Sequence, residues 1–170
     1  MRKYDIGRCW FWSPGPNDAG TSTSNVYFEQ APNPLSCITL SNQKDPVFGQ
    51  CQTHIDWQFN DLDEKTYTTT TQLFTAAVKK LMPTATVTCN SWDEIKSRVV
   101  VNGHHLGTTR MGDTAKDSVV DKNLKSHDID NLYVAGSSVW RSAGISNPTH
   151  SIIMFSIRLA EHIKNEVLKK

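Results

Sequence analysis

Residues 131–139 read NLYVAGSSV and residues 146–163 read SNPTHSIIMFSIRLAEHI, and these two runs decide how the end of the chain is expected to fold. The first run predicts a short apolar strand, 131–136, that ends at a glycine. The second predicts a long helix, because Asn147 is a favourable N-cap and Pro148 suits the first helical position, where its missing N–H is not needed. Apolar residues then recur at three- and four-residue steps as far as Val167, which indicates a helix buried on a wide face.

The start of this helix and a histidine-containing loop upstream of it are the two candidate sites of chemistry. A helix N-terminus carries free N–H groups and partial positive charge, so it suits a group that is or becomes anionic. The upstream run, VNGHHLGTT at residues 101–109, places His104 and His105 between two glycines. A neutral imidazole, with a pKa of about 6.5, can take the hydroxyl proton of an alcohol near neutral pH. The matching hydride needs a cofactor, because no side chain accepts it.

Three runs in this region resemble the C-terminal part of the glucose–methanol–choline (GMC) flavin oxidoreductases. They are HHLGTTRMGD, VVDKNLKSHDIDNLYVAGSSV and SNPTHSIIMFSIRLAEHI, and they agree with the family in order and spacing. A shorter similarity at residues 29–40 and 55–57 extends to the family's substrate-domain strands, so the resemblance covers most of residues 25–170. It implies an FAD-dependent enzyme that oxidises a CH–OH donor, such as a sugar or polyol, by removing the hydroxyl proton and transferring hydride to flavin N5.

The resemblance also implies roles for individual residues. His104 matches the histidine of the motif H-x-x-G-T and is the expected base, although a hydrogen-bonded loop histidine is the plainer alternative. Asn147 occupies the position of the second active-site residue, in addition to its role as N-cap. The expected contacts to FAD come from the strand end and the first helical turn: Gly136, Ser137, Pro148 and Thr149. The expected residues on the substrate side are His105, in a supporting role, Trp140 and Arg141.

Two departures from the family pattern affect the interpretation. Trp140, Arg141 and Ser142 stand where many relatives have Phe-Pro-Thr, so the choice of substrate is expected to be unusual. No G-x-G-x-x-G follows a strand, so the main dinucleotide-binding element of the family is absent from this sequence. We therefore expect an N-terminal FAD-binding half, in the same gene or on a separate chain, as the partner. The alternative is a non-catalytic remnant or partner-binding module.

Composition excludes several other classes of function. The chain has 170 residues and a net charge of +1, so no charge field favours nucleic acid. No apolar run approaches the roughly 20 residues of a membrane span, and no signal peptide is visible, which favours the cytoplasm. The four cysteines form no CxxC pair, so we expect no metal site and predict reduced, mostly buried thiols: Cys9, Cys37, Cys51 and Cys89.

The remaining pattern predicts an α+β protein with a mainly antiparallel substrate-domain sheet, flanking helices, and the last strand and helix of an FAD-binding domain. Residues 1–24 are expected to be a poorly ordered segment, 25–101 a substrate-binding portion, and 102–170 the catalytic loop and FAD-domain portion. Within 25–101 we predict a three-stranded meander near residues 25–30, 37–40 and 51–57. A helix should open at Asp61 and end before Pro83, followed by a strand over 84–89.

Overall fold

The strands pair two by two in the computed structural model, which describes residues 9–13, 15–18, 20–98, 104–144 and 146–169. The chain divides into two compact units, Met1–Val100 and Val101–Lys170. The observed α+β class and the antiparallel pairing agree with the predicted fold class. The assignment of 25–101 to a substrate-binding portion and 102–170 to an FAD-binding portion stays a prediction.

The predicted three-stranded meander is wrong, because the first predicted strand has a different partner. Strand β2, Asn25–Phe28, pairs antiparallel with β1, Cys9–Trp12, which lies in the segment predicted to be poorly ordered. Strand β3, Cys37–Lys44, pairs only with β4, Cys51–Asp56, within the described residues. The physical reason is the aromatic run CWFW, whose strand propensity offers β2 a partner from outside the predicted sheet.

The β3–β4 hairpin exposes apolar side chains. Ile38 lies directly opposite Ile55, and both are more than half exposed, as is Leu40 two residues along the same face. At the turn, the Asp45 carboxylate accepts hydrogen bonds from the backbone N–H of Phe48 at 2.7 Å and of the preceding residue at 3.0 Å. The turn chemistry therefore fixes the register, while the face of the hairpin has little cover within its own unit.

Helix α1, Asp61–Leu81, confirms the prediction of a helix that opens with acidic residues and ends before Pro83. Asn60 caps it, and the carboxylate of Asp63 accepts a hydrogen bond from the Asn60 backbone N–H, which completes a capping box. Two threonines inside this helix use their hydroxyls to bond to carbonyls one turn earlier, Thr66 to Leu62 at 2.6 Å and Thr71 to Tyr67 at 3.0 Å.

An aromatic cluster joins β2, α1 and the short helix α2, Trp92–Arg98. Trp92 lies 5.3 Å from Phe59, 5.8 Å from Tyr67 and 6.4 Å from Phe28, measured between ring centroids. The predicted strand over 84–89 is wrong: that stretch pairs with no strand among the described residues. It is held instead at its end, where the Tyr67 hydroxyl donates to the Asn90 carbonyl at 2.8 Å. Burial raises the pKa of this phenol, and Cys89 and Glu94 raise it further.

The core of the second unit consists of four buried apolar side chains: Val120, Leu124, Val139 and Leu159. Around it the chain forms turns and isolated bridges, such as Lys125 with Tyr133. The predicted strand over 131–136 is therefore wrong, since only Tyr133 makes a bridge there. A strand needs a continuous ladder partner, and no described residue of this unit offers one.

Helix α3, Thr149–His162, continues into one wider turn, Ile163–Val167. The predicted cap is wrong by one residue: Pro148, rather than Asn147, precedes the first helical residue, and no side chain caps the helix. Pro148 has a helical backbone conformation and its carbonyl accepts from the Ile152 N–H at 2.9 Å, so the fixed φ of proline sets the boundary. One face of α3 packs on the core through Leu159.

Cys37, Cys51 and Cys89 are free thiols. The prediction that the cysteines are mostly buried is wrong for these residues, because Cys37 and Cys89 are exposed and Cys51 is half-buried. Within the described part of the chain, none of the helices is both long and apolar enough to cross a lipid bilayer.

Candidate active site

The histidine loop, residues 104–111, is hydrogen-bonded along a single 3-10 turn that spans Ser137–Val139. The Ser137 hydroxyl donates to the His105 carbonyl at 2.8 Å. The Thr109 N–H donates to the Ser138 carbonyl at 3.0 Å, and the Thr109 hydroxyl donates to the Ser138 hydroxyl at 2.7 Å. The histidine loop and the run NLYVAGSSV thus lie side by side, although 29 to 32 residues separate the residues that are hydrogen-bonded to each other.

Glycines make this close approach possible. Gly136, which precedes the 3-10 turn, has a φ of +118°, and open space surrounds the place where a Cβ would be. Backbone conformation, rather than crowding, therefore requires glycine there. Gly107 has a φ of +83°, and a Cβ at this position would lie 3.3 Å from the Trp140 carbonyl oxygen. The loop then ends with the Met111 N–H donating to the Val139 carbonyl at 2.7 Å, which joins it to the core.

Both histidines of the loop are exposed. Among the described residues, the His104 imidazole makes no hydrogen bond, so both ring nitrogens are accessible to a substrate hydroxyl. His105 is anchored by its backbone carbonyl rather than by its ring. The loop thus exposes two imidazoles, and that of His104 comes directly before the backbone carbonyl that Ser137 binds.

The start of α3 presents unused hydrogen-bond donors. No side chain in the described part of the chain caps the helix, and the residues of its first turn, from Thr149 to Ser151, are exposed. Asn147 is also exposed and Pro148 is half-buried. Within the described residues no hydrogen bond joins Asn147 or Thr149 to the histidine loop. The predicted convergence of His104 and Asn147 on one cofactor face therefore stays a prediction.

Trp140 lies between the 3-10 turn and α3. Its ring packs against Phe155 of α3 in an edge-to-face arrangement, with 6.0 Å between the ring centroids. Its indole Nε1–H is buried and has no hydrogen-bond acceptor within the described residues. An unpaired buried donor is costly, by about 1–3 kcal/mol, so this N–H is a place where an additional acceptor would be stabilising.

Arg141 binds the turn that follows the histidine loop. Its guanidinium donates to the Met111 carbonyl at 2.6 Å and to both the carbonyl and the carboxylate of Asp117, at 3.2 and 3.0 Å. The hydrogen bond from Arg141 lowers the pKa of the Asp117 carboxyl, with a second contribution from the Thr114 hydroxyl. A Cβ on Gly112 would lie 2.8 Å from the Ser118 Cβ and would also crowd the Arg141 guanidinium, which explains the glycine at that position.

Ser118 and His127, which were not among the predicted site residues, form a polar pair that supports the same turn. The buried Ser118 hydroxyl donates to the Thr114 carbonyl and lies 2.9 Å from the His127 Nε2. Because a hydroxyl has a single proton, His127 must be the donor in the second bond. No sequence motif marks this pair, since a serine and a histidine nine residues apart form no recognised pattern.

The residues present fit a flavin better than a metal ion. Uncapped N–H groups at a helix start suit carbonyl oxygens that gain negative charge, and the open space at Gly136 lets a ligand approach the backbone. In the part of the chain that the structure describes, no three His, Cys, Asp or Glu side chains group as metal ligands would.

Comparison with known proteins gives one family. The family model described as GMC oxidoreductase matches residues 32–156, which include the histidine loop, the 3-10 turn and the start of α3. It therefore spans parts of both units. The match ends inside α3, seven residues after the helix begins.

Three similar proteins are oxidoreductases by name. The fructose dehydrogenase large subunit of Gluconobacter japonicus is 27% identical over 139 residues, which is 82% of this chain and 24% of that protein. The 2-methyl-1,2-propanediol dehydrogenase of Mycolicibacterium austroafricanum and the pyranose 2-oxidase of Tricholoma matsutake are each 37% identical over 60 residues, 35% of this chain. The chain spans about a quarter of the first relative and 11% of the other two.

Proposed function

This chain belongs to the GMC oxidoreductase family, and on that premise we propose that it is the C-terminal portion of an FAD-dependent enzyme that oxidises an alcohol to a carbonyl compound. The observation that carries the proposal is the hydrogen-bonded contact between the histidine loop and the turn leading towards α3. It brings a proton acceptor next to the segment that the family motif assigns to the cofactor. The names of the relatives, which refer to a sugar, a diol and a pyranose, favour a sugar or polyol as substrate.

His104 is the proposed base. Its imidazole is exposed and has no described hydrogen-bond partner, so it can receive the hydroxyl proton of an alcohol placed beside it. The hydrogen bond from Ser137 to the next residue fixes the backbone close to His104. Asn147, exposed just before α3, would hydrogen-bond the substrate oxygen through its side-chain amide and help orient the hydroxyl towards the imidazole.

The helix start would hold the cofactor. Thr149 and the exposed residues after it offer backbone N–H groups, while Pro148 sets the boundary that leaves them uncapped. Gly136 and Ser137 would lie beside the cofactor, Gly136 through its backbone, which adjoins open space, and Ser137 without donating its hydroxyl proton, which the His105 carbonyl accepts. FAD, when bound, supplies the hydride acceptor that the side chains of this chain cannot provide.

Residues on the substrate side would select the alcohol. His105 is an exposed residue of the histidine loop, the Trp140 backbone lies against that loop at Gly107, and the Arg141 side chain is half exposed. Arg141 already makes three hydrogen bonds within its own unit, so its part in selection would be to shape the entrance rather than to bind a charged substrate. The large indole ring of Trp140 would narrow the substrate side of the site more than a smaller side chain would.

The proposed partner is an N-terminal FAD-binding half, in the same gene or on a separate chain. A second candidate function, a non-catalytic module that only binds a partner, is favoured by one observation: α3 exposes a row of apolar side chains, Ile153, Met154 and Ile157. The visible absorption spectrum separates the two functions. Flavin absorbance and its bleaching by an alcohol, measured with the partner half present, support the enzyme, whereas an assembly without flavin supports the binding module.

The base is tested by comparing two neighbouring histidine variants. The chain is combined with its FAD-binding half, and alcohol-dependent flavin reduction is followed under single-turnover conditions. We expect His104→Ala to slow reduction about 100-fold or more, while His105→Ala, which keeps the backbone carbonyl that Ser137 binds, has a much smaller effect. Undiminished reduction in His104→Ala would show that this residue is not the base.

A further inference from the structure

We propose that Ser137 is a positioning residue, which acts by fixing the backbone next to His104 rather than by donating a hydrogen bond to the cofactor. The inference rests on the proposed function, because it assigns a role to Ser137 through His104. The contact that carries it is the hydrogen bond from the Ser137 hydroxyl to the His105 carbonyl, 2.8 Å long.

The chemistry of a hydroxyl restricts what Ser137 can do. A serine side chain has one proton to donate, and here that proton is given to a backbone carbonyl. The same oxygen retains only acceptor capacity, while the carbonyl oxygens and ring N1 that a reduced flavin presents need donors. The direct donors are therefore the N–H groups of the helix start, and Ser137 serves the neighbouring loop.

The position of this bond in the loop explains why its loss would affect His104 more than the rest of the loop. Farther along, the loop is anchored by two bonds between Thr109 and Ser138 and then by the bond from Met111 to the core residue Val139. Among the residues that the structure describes, the Ser137 bond is the last of this series on the His104 side, and it holds the residue adjacent to His104. Loss of this bond would free the end of the loop while the rest of the series stays in place.

The adjacent serine provides a matched control. Ser138 is also a serine of the 3-10 turn and also contacts the loop through its hydroxyl, but its partner Thr109 is five residues from His104 and the bond is partly buried. Ser138→Ala therefore removes a similar bond with more effect on stability and less effect on His104. Ser137→Ala removes an exposed bond, which contributes little to stability, but it frees the residue next to the base.

The experiment uses the FAD-loaded assembly and measures flavin reduction at saturating alcohol, flavin absorbance per chain, and the melting temperature. We expect Ser137→Ala to slow reduction about 10- to 100-fold, because small misplacements of a reacting group have effects of this size. Flavin content should be unchanged, Ser137→Thr should restore most of the rate, and Ser138→Ala should stay within a few-fold of the natural protein while melting at a lower temperature.

Three results would overturn the inference: a natural reduction rate in Ser137→Ala, a loss of bound FAD that accounts for its lower rate, or an equal loss of rate in both serine variants. A second readout, the imidazole NMR signal of His104, separates this inference from the proposed function. If His104→Ala reduces flavin normally while Ser137→Ala alone shifts the His104 signal, the proposed base is wrong and the positioning contact stands. If His104→Ala is inactive and neither serine variant shifts that signal, the proposed base stands and the positioning role is wrong.

Discussion

The buried carboxylate of Asp63 gives the sharpest test of how the first unit is held together. Asp63 is fully buried in the first turn of α1, and each of its oxygens accepts a backbone hydrogen bond. One bond comes from the Asn60 N–H at 2.9 Å and completes the capping box. The other comes from the Ala31 N–H at 2.8 Å and ties the segment after β2 to the helix. Replacing Asp63 therefore removes a local and a long-range contact together.

The magnitude follows from these two bonds. A hydrogen bond to a charged group contributes about 1.5–3 kcal/mol net, so the two bonds together contribute about 3–6 kcal/mol. The variant also avoids the cost of burying a carboxylate, which offsets part of the loss. We therefore expect Asp63→Ala to lower the free energy of unfolding by about 3 kcal/mol. Asp63→Asn should cost about 2 kcal/mol. The side-chain oxygen of the asparagine can still accept one of the two hydrogen bonds, while its NH2 group faces the other backbone N–H, and two donors cannot bond to each other.

The matched control is Asp61, an exposed acidic residue in the same helical turn. Asp61→Asn loses only a screened interaction with the helix dipole, about 0.5 kcal/mol. The assay is urea unfolding followed by tryptophan fluorescence, which reports mainly the first unit because Trp10, Trp12, Trp57 and Trp92 lie in it and only Trp140 lies in the second. The reasoning fails if the urea midpoint of Asp63→Asn equals that of Asp61→Asn at the same slope.

Three further predictions concern the second unit. Gly112→Ala should destabilise it by about 2–3 kcal/mol, because the new Cβ would lie 2.8 Å from the Ser118 Cβ. Gly49→Ala, in open space at a φ of +68°, should cost only about 1 kcal/mol in its own unit. A cost at Gly112 no larger than the cost at Gly49, measured by thermal unfolding, would contradict this. Arg141 lowers the pKa of Asp117, so the pair stabilises the fold above the usual carboxyl pKa of about 4 and loses that effect as pH falls through the lowered value. The stability difference between the natural protein and Asp117→Asn should therefore shrink on acidification, and a difference that is constant from pH 6 to pH 2 would refute the assignment. Val139→Ala should cost about 2 kcal/mol, because the side chain is fully buried in a core of four residues. Urea unfolding followed by the indole NMR signal of Trp140 measures this cost for the second unit, and a cost near zero would mean that the core is not packed around Val139.

Local chemistry made α1 and the β3–β4 pair predictable from the sequence. Acidic residues in the first turn, a helical period of apolar residues and Pro83 specify α1 without reference to the rest of the chain. Alternating residues and a turn containing Asp45 and Gly49 do the same for the hairpin. The capping box was also readable, since Asn60 and Asp63 have its spacing, but the tertiary bond to Ala31 has no sequence signature.

Non-local pairing explains the errors. The strand propensity of residues 25–28 is real, but the sequence does not state which segment pairs with it, and the partner came from the stretch that contains β1. The run at 131–136 has strand-like composition, yet strand structure depends on a neighbouring ladder that the described residues lack. The one-residue error at the start of α3 is of a different kind, because Asn147 and Pro148 both suit a helix start and the fixed φ of proline decided between them.

The candidate site illustrates the same limit at the level of single atoms. The motif pointed to His104 and to the glycine-serine run, and the structure places the loop and this run side by side. Which hydroxyl binds which carbonyl could not be read from the sequence, because a serine that bonds to a backbone group 32 residues away leaves no pattern of its own.

The run from Gly136 to Val139 connects the candidate site to the core, because some of its residues bind the histidine loop and the last one is buried. Gly136 supplies the backbone turn, Ser137 and Ser138 bind the histidine loop, and Val139 is fully buried. A 3-10 turn is short and stiff, so a shift of the buried valine is transmitted to the serines within a few ångströms. Changes at Val139 should therefore alter the geometry at His104 as well as stability, whereas changes on the exposed face of α3 should leave both unaffected. The packing of the core would in this way set the position of His104, the proposed base.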